Sequence, residues 1–212
     1  HFDTAVWRDW IALLQALGVH IWQLPYRPGG KPLHVHGFLQ RFGKLARKNS
    51  AYYAHIAASG IPMLGLDPAM TLMYRQEYQV FADKAEWRIQ LPQEWLAQWL
   101  EKRPPQPEQN AAPYYLAAHC IEKTQLNGSA HSWQRIFAHF GLRLQEVALG
   151  CCGMSGTYGH EAEHRQLSAT IYAQSWQDKV QQHGERLLAT GYSCRSQVKR
   201  IEGSGVRHPL QA

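Results

Sequence analysis

The chain contains no apolar run approaching the roughly 18 residues that a membrane-spanning helix needs, although 45% of its 212 residues are hydrophobic. It also has no basic start followed by an apolar stretch, the mark of a secretion signal. A cytoplasmic setting is therefore expected. Charge is sparse: 18% of residues are charged, with 22 Lys and Arg against 16 Asp and Glu. Basic residues gather only at Arg41, Lys44, Arg47 and Lys48 and at Arg195, Lys199 and Arg200. Neither group is interleaved with aromatics in the manner of a single-strand-binding surface, so nucleic acid is not an expected partner. No G-x-G-x-x-G follows a predicted strand, and the chain carries no dinucleotide fingerprint of its own. Cysteine is absent from the first half. The four present are Cys120, Cys151, Cys152 and Cys194. In a reducing compartment, clustered cysteines bind metal or do redox chemistry more often than they form structural disulfides. The first residue is His1, not Met, as expected of a piece of a longer polypeptide.

What is present is a degenerate internal repeat. Residues 7–18, WRDWIALLQALG, space their apolar residues three and four apart and predict a helix stopped by Gly18. Residues 19–24, VHIWQL, read as a short strand. A Pro28-Gly29-Gly30 loop, a long helix over about 37–58, a strand over 61–66 and a helix from Asp67 through Tyr78 follow. The second half repeats the order: a helix over 132–141, a strand over 142–149 and a Cys151-Cys152-Gly153 loop. A helix over about 160–182, a strand over 186–189 and a helix from Tyr192 through Arg200 complete it. Trp10 maps to Trp133, Gly18 to Gly141 and Gly30 to Gly153, each 123 residues apart (133−10, 141−18, 153−30). Pro28, Gly29 and Ala69 then stand where the second copy has Cys151, Cys152 and Cys194. Between the copies lie a short helix near Pro92 to Leu100, a Pro-rich linker over 102–112, and a strand over 113–119 that delivers Cys120. The expected organisation is a cysteine-free repeat over 1–90, a helix and linker over 91–112, and a cysteine-bearing repeat over 113–212. Alternating helices and strands predict an α/β fold of two tandem repeats with mainly parallel sheets.

Each cysteine follows a predicted strand, and in parallel sheets sites gather at the carboxyl ends of strands. If the strands are neighbours, four thiols converge, and soft sulfur ligands select iron–sulfur clusters, zinc or copper(I). Adjacent side chains of a strand point to opposite faces. Cys151 and Cys152 can therefore share a centre only where Gly150 and Gly153 let the backbone leave strand geometry. His119, His160 and Gly153 are expected to stand behind the ligands, His119 also being a candidate ligand. Residues 160–164, HEAEH, fit the H-E-x-x-H metalloprotease pattern. They open a helix directly after a glycine loop and lack a third ligand, so no protease is expected. His20, His34, His36 and His55 are read as structural or surface residues; no acid or thiol joins them.

Residues 150–161, GCCGMSGTYGHE, and 191–200, GYSCRSQVKR, resemble the cysteine-rich CCG domain. That domain is known from heterodisulfide reductase subunits, the anaerobic glycerol-3-phosphate dehydrogenase iron–sulfur subunit and large FAD-linked oxidases. The likeness extends to long bacterial FAD-linked oxidases of the D-2-hydroxyglutarate dehydrogenase type. It implies that Cys120, Cys151, Cys152 and Cys194 are metal ligands. It also implies an electron-relay region of a larger oxidoreductase, with FAD in upstream domains, and an electron acceptor and that flavin domain as partners. The family's last motif has a further cysteine where this chain has Gly191, and the first copy has none, so at most one cluster is implied. Zinc, in a structural or docking module, is the alternative.

Overall fold

The computed structural model describes residues 3–82 and 86–212; His1, Phe2 and residues 83–85, all within the expected first repeat, lie outside the description. The chain forms two compact units, Trp22–Trp95 and His1–Ile21 with Leu96–Ala212. No helix among the described residues is long and apolar enough to cross a membrane.

Helix α1 (Thr4–Ala16) buries Val6, Trp10 and Leu14, one residue per turn of a single apolar stripe. It ends at Gly18, whose φ of +73° suits a left-handed helix stop. There Val19 N–H bonds to Leu14 O (2.9 Å) and Gly18 N–H to Gln15 O (2.9 Å). The expected strand over 19–24 does not form. These residues carry no regular structure and Trp22 is 79% exposed. Apolar alternation makes a strand only where a neighbouring strand takes up its backbone groups.

The unit over 22–95 contains α2 (Lys31–Val35), α3 (Leu39–Ala57), β1 (Met63–Leu64), α4 (Pro68–Arg75), α5 (Glu77–Phe81) and β2 (Ile89–Gln90). Asp67 caps α4 by accepting from Met70 N–H (3.0 Å), and Pro68 fills its first position. β1 and β2 pair in parallel, Met63 with Ile89. β2, two residues long, has no counterpart in the sequence pattern. The core is aromatic: Phe42, Tyr53, Tyr78 and Trp87 meet Met63, Met73 and Ile89. Helix α6 (Pro92–Leu100) forms where Pro92 predicts its start.

Residues 104–112 carry no helix or strand, yet the segment is pinned by Gln106 N–H to His139 O and Gln109 N–H to Gly141 O (both 2.8 Å). Next come β3 (Tyr114–Ala117), α7 (Cys120–Gln125), α8 (Ser129–His139) and β4 (Leu144–Glu146). α8 buries Trp133, Ile136 and Phe137. Its end repeats the closure of α1: Gly141 has φ +72°, Leu142 N–H reaches Phe137 O (2.8 Å) and Gly141 N–H reaches Ala138 O (3.0 Å). Donors and acceptors again stand 123 apart (142−19, 137−14).

The helix expected over 160–182 is broken. Two 3₁₀ turns, Tyr158–His160 and Ala162–His164, precede α9 (Arg165–Tyr172). A π-helical turn (Ala173–Gln177) joins it to α10 (Asp178–His183). β5 (Leu187–Ala189), wholly buried, and α11 (Tyr192–Glu202) follow. The sheet order is β4-β3-β5, all parallel, with Leu116 opposite both Glu146 and Leu188. The fold is α/β, as the alternation predicts.

Candidate metal centre

The sheet order explains where the thiols go. β3 is the middle strand, and beyond it Ala118 and His119 turn the chain into α7, which starts at Cys120. β4 on one side leads through 147–150 to Cys151 and Cys152. β5 on the other leads through Thr190 and Gly191 into α11, with Cys194 in its first turn. Carboxyl ends of adjacent parallel strands lie along one edge of the sheet, so three separate turns meet there.

The thiols are electrostatic neighbours. Cys120 feels Cys151 and Cys152, and Cys194 feels Cys152 and Cys120. Cys152 and Cys194 are hydrogen-bonded and belong to one buried cluster with Met154, Tyr172 and Trp176. Cys120 and Cys151 are exposed. The set therefore has two inner and two outer members. The bond from Cys194 holds the Cys152 thiol down to about 7, and the same bond, with burial, pushes Cys194 well above the ordinary thiol value. Burial raises Cys120.

The loop carrying the adjacent pair is rigidly built. Gly153 adopts φ +87°, and its N–H points at Cys151 Sγ (3.3 Å). A Cβ here would lie 2.2 Å from Ser168 O. Before the pair, Lys123 Nζ donates to Leu149 O (2.6 Å), Gly150 N–H donates to Ser175 Oγ (2.5 Å) and Trp176 Nε1 donates to Gly150 O (3.2 Å). Ser175 and Trp176 both lie in the π turn, whose extra residue per turn brings them to the loop. After the pair, Arg200 holds Gly159 O, and Gln197 Nε2 donates to Ser168 Oγ (3.0 Å).

His119 is buried between two thiol-bearing turns. Its Nδ1 accepts from Ile121 N–H (3.3 Å), its Nε2 lies 3.3 Å from Ser193 Oγ, and its backbone N–H donates to Thr190 Oγ1 (2.9 Å). A Cβ at Gly191 would lie 2.2 Å from His119 Cδ2. Gly191 has φ −81°, which any residue adopts; it is glycine to admit this ring. Glu122, fully buried, bonds to Ser129 Oγ and accepts from Thr190 Oγ1 (2.5 Å), and burial pushes its carboxyl up.

His160 is exposed at the end of a 3₁₀ turn. With α9 starting only at Arg165, His160 and His164 do not share a helix face as the H-E-x-x-H pattern would require. His164 instead pairs with Glu161 (3.0 Å) and stacks on Tyr158. Among the described residues, Glu161, Glu163 and His164 form the group whose three ligand atoms fall within 4.8 Å of one another. His34 packs on Phe42 in the cysteine-free unit, while His20, His36 and His55 are exposed. Sequence reasoning misses Lys123, Ser175, Trp176 and Ser193. Each acts on a residue whose placement depends on the fold, and no local pattern announces it.

No protein-family profile matches the chain, and no solved structure does. Curated proteins do. The chain is 46% identical over its whole length to D-2-hydroxyglutarate dehydrogenase of Escherichia coli and 49% identical to the Pseudomonas putida protein of that name, covering 21% of each. It is 26% identical, over 96% of the chain, to 53% of one subunit of the anaerobic glycerol-3-phosphate dehydrogenase of Escherichia coli. The chain thus spans about a fifth of the length of the D-2-hydroxyglutarate dehydrogenases it matches, and along its full extent it is similar to their C-terminal, CCG-type region.

Proposed function

We propose that Cys120, Cys151, Cys152 and Cys194 together hold one iron–sulfur cluster, and that this region relays electrons within a larger flavin-dependent dehydrogenase. The observation that carries the reading is the meeting of four thiols, from three strand-to-helix turns, at the carboxyl edge of a single parallel sheet. The donor set fits the group: thiolates are the usual ligands of cluster iron, and the Gly153 N–H already points at Cys151 Sγ. When bound, a cluster supplies one-electron transfer. The chain's own residues hold the thiols and keep one side of the site dry through Met154, Tyr172 and Trp176.

Spacing also favours a cluster over the alternative, a single structural zinc. Zinc at about 2.3 Å from each sulfur brings tetrahedral ligands to about 3.8 Å of one another. Among the described residues no three of the thiol sulfurs lie within 4.8 Å of one another. The named relatives set the context: the whole protein oxidises a 2-hydroxy acid such as D-2-hydroxyglutarate at a flavin outside this chain, and passes the electrons through this region to an acceptor. The expectation of a cytoplasmic setting is part of the same reading.

Anaerobic purification followed by iron, zinc and acid-labile sulfide analysis tests it. Iron and sulfide in equal amounts are expected. One zinc per chain without sulfide overturns the relay.

A further inference from the structure

Between the turns that carry Cys120 and Cys194 lies a short hydrogen-bond chain. Ile121 N–H donates to His119 Nδ1 (3.3 Å), so that nitrogen carries no proton. The proton of the neutral ring is then on Nε2, 3.3 Å from Ser193 Oγ. With its oxygen accepting from His119, the Ser193 hydroxyl proton is left to point elsewhere, and the Ser193 side chain bonds to the Cys194 sulfur. The ring's place is built: Gly191 gives up its side chain for it, and Thr190 takes the His119 backbone N–H. Each member of the chain has its direction set by the one before it.

We infer that His119 is a positioning residue that aims the Ser193 hydroxyl at Cys194 Sγ, so that a bound cluster accepts electrons at a higher potential than four bare thiolates would give. A donor to a ligand sulfur draws off electron density and favours the reduced cluster, and hydrogen bonds to the sulfurs are among the features that set cluster potentials. Residues behind metal ligands act in this way through orientation, without touching the metal. The inference rests on the cluster reading above, but its physical core, a donor aimed at Cys194, concerns the chain alone.

The test uses the 212-residue chain loaded anaerobically in two ways, with iron and sulfide and with cobalt(II). Four variants are compared with the parent: Ser193→Ala, Ser193→Thr, His119→Ala and Gly191→Ala. The expected order of midpoint potential is parent and Ser193→Thr together, then His119→Ala and Gly191→Ala more negative, then Ser193→Ala most negative. In the cobalt form, the thiolate-to-cobalt charge-transfer band of Ser193→Ala moves to lower energy, while that of Ser193→Thr does not. Cobalt binding with this band shift, but no uptake of iron and sulfide, overturns the cluster reading and leaves the positioning role standing. Coincident potentials and bands for the parent and Ser193→Ala overturn the positioning role and leave the cluster reading standing. A chain that binds neither overturns both.

Discussion

The loop over 28–30 and the loop over 151–153 occupy matching registers, yet they are held up by different things. Both turn on a left-handed glycine, Gly30 at φ +81° and Gly153 at +87°. Beneath the first, side chains fill the space. A Cβ on Gly29 would lie 2.4 Å from Met70 Cε and 2.8 Å from the Tyr74 hydroxyl, and one on Gly30 would meet Leu45 and Phe42. Tyr78 donates to Gly29 O (2.8 Å) and Asn49 to Pro28 O (2.9 Å). Beneath the second, the neighbours are thiols and a backbone carbonyl. The difference teaches how a loop can lose its ligands and stay folded. Methionine and aromatic side chains take over the volume, and a tyrosine–asparagine pair takes over the backbone groups.

The sharpest way to break this comparison is to exchange the ligands. Cys194→Ser or Cys152→Ser is expected to abolish bound iron, measured by metal analysis after anaerobic loading. The combined variant Pro28→Cys, Gly29→Cys and Ala69→Cys is expected to gain none, because Met70, Met73 and Tyr74 already stand against Gly29. A second loading of iron in that variant would show that the filled volume is not what excludes it.

Alanine at the two turn glycines gives a smaller, graded effect. Gly30→Ala should cost about 1–2 kcal/mol from the left-handed backbone, since Leu45 and Phe42 end in side chains that can shift. Gly153→Ala should cost clearly more, because Ser168 O belongs to the helix backbone and cannot swing aside. Urea denaturation of each variant checks the ordering, and equal losses would contradict it.

The smallest effect concerns protons. His208 is buried and its pKa lies well below the usual imidazole value, through burial and the nearby Arg195. The unfolded chain takes up a proton near pH 6.5 and the folded chain does not. Stability from the neutral ring is therefore complete above about 6.5 and falls as pH drops below it, by at most about 1.4 kcal/mol per pH unit. Unfolding free energies from about pH 7.5 to 5.5, which bracket the ordinary imidazole value, should show this slope. His208→Asn, which keeps an acceptor for Leu210 N–H, should flatten it, whereas His55→Asn at an exposed site of the other unit should not.

Much of the architecture is readable in the chain itself, where local chemistry decides the outcome. Gly18 and Gly141 end their helices with the same bonds, and Pro92 starts α6. The α/β alternation gives parallel strands, and the turns after them bring the thiols to one edge. The failures occur where a partner decides. The stretch over 19–24 alternates as well as the one over 142–149, but only the latter lies beside β3. The long helix over 160–182 has helical spacing throughout. Its π turn is set by Ser175 and Trp176 reaching Gly150, an interaction between segments that no window of sequence contains. The supports of the site, Lys123 and Ser193, are illegible for the same reason.

The space at Gly191 has a historical consequence. A larger residue there collides with the His119 ring, so any lineage that once held a bulkier side chain at 191 had to lose it before, or together with, the arrival of the imidazole. Tolerance at one position is thus conditional on the occupant of another, and the order in which substitutions accumulate is constrained even though each is conservative in a different background.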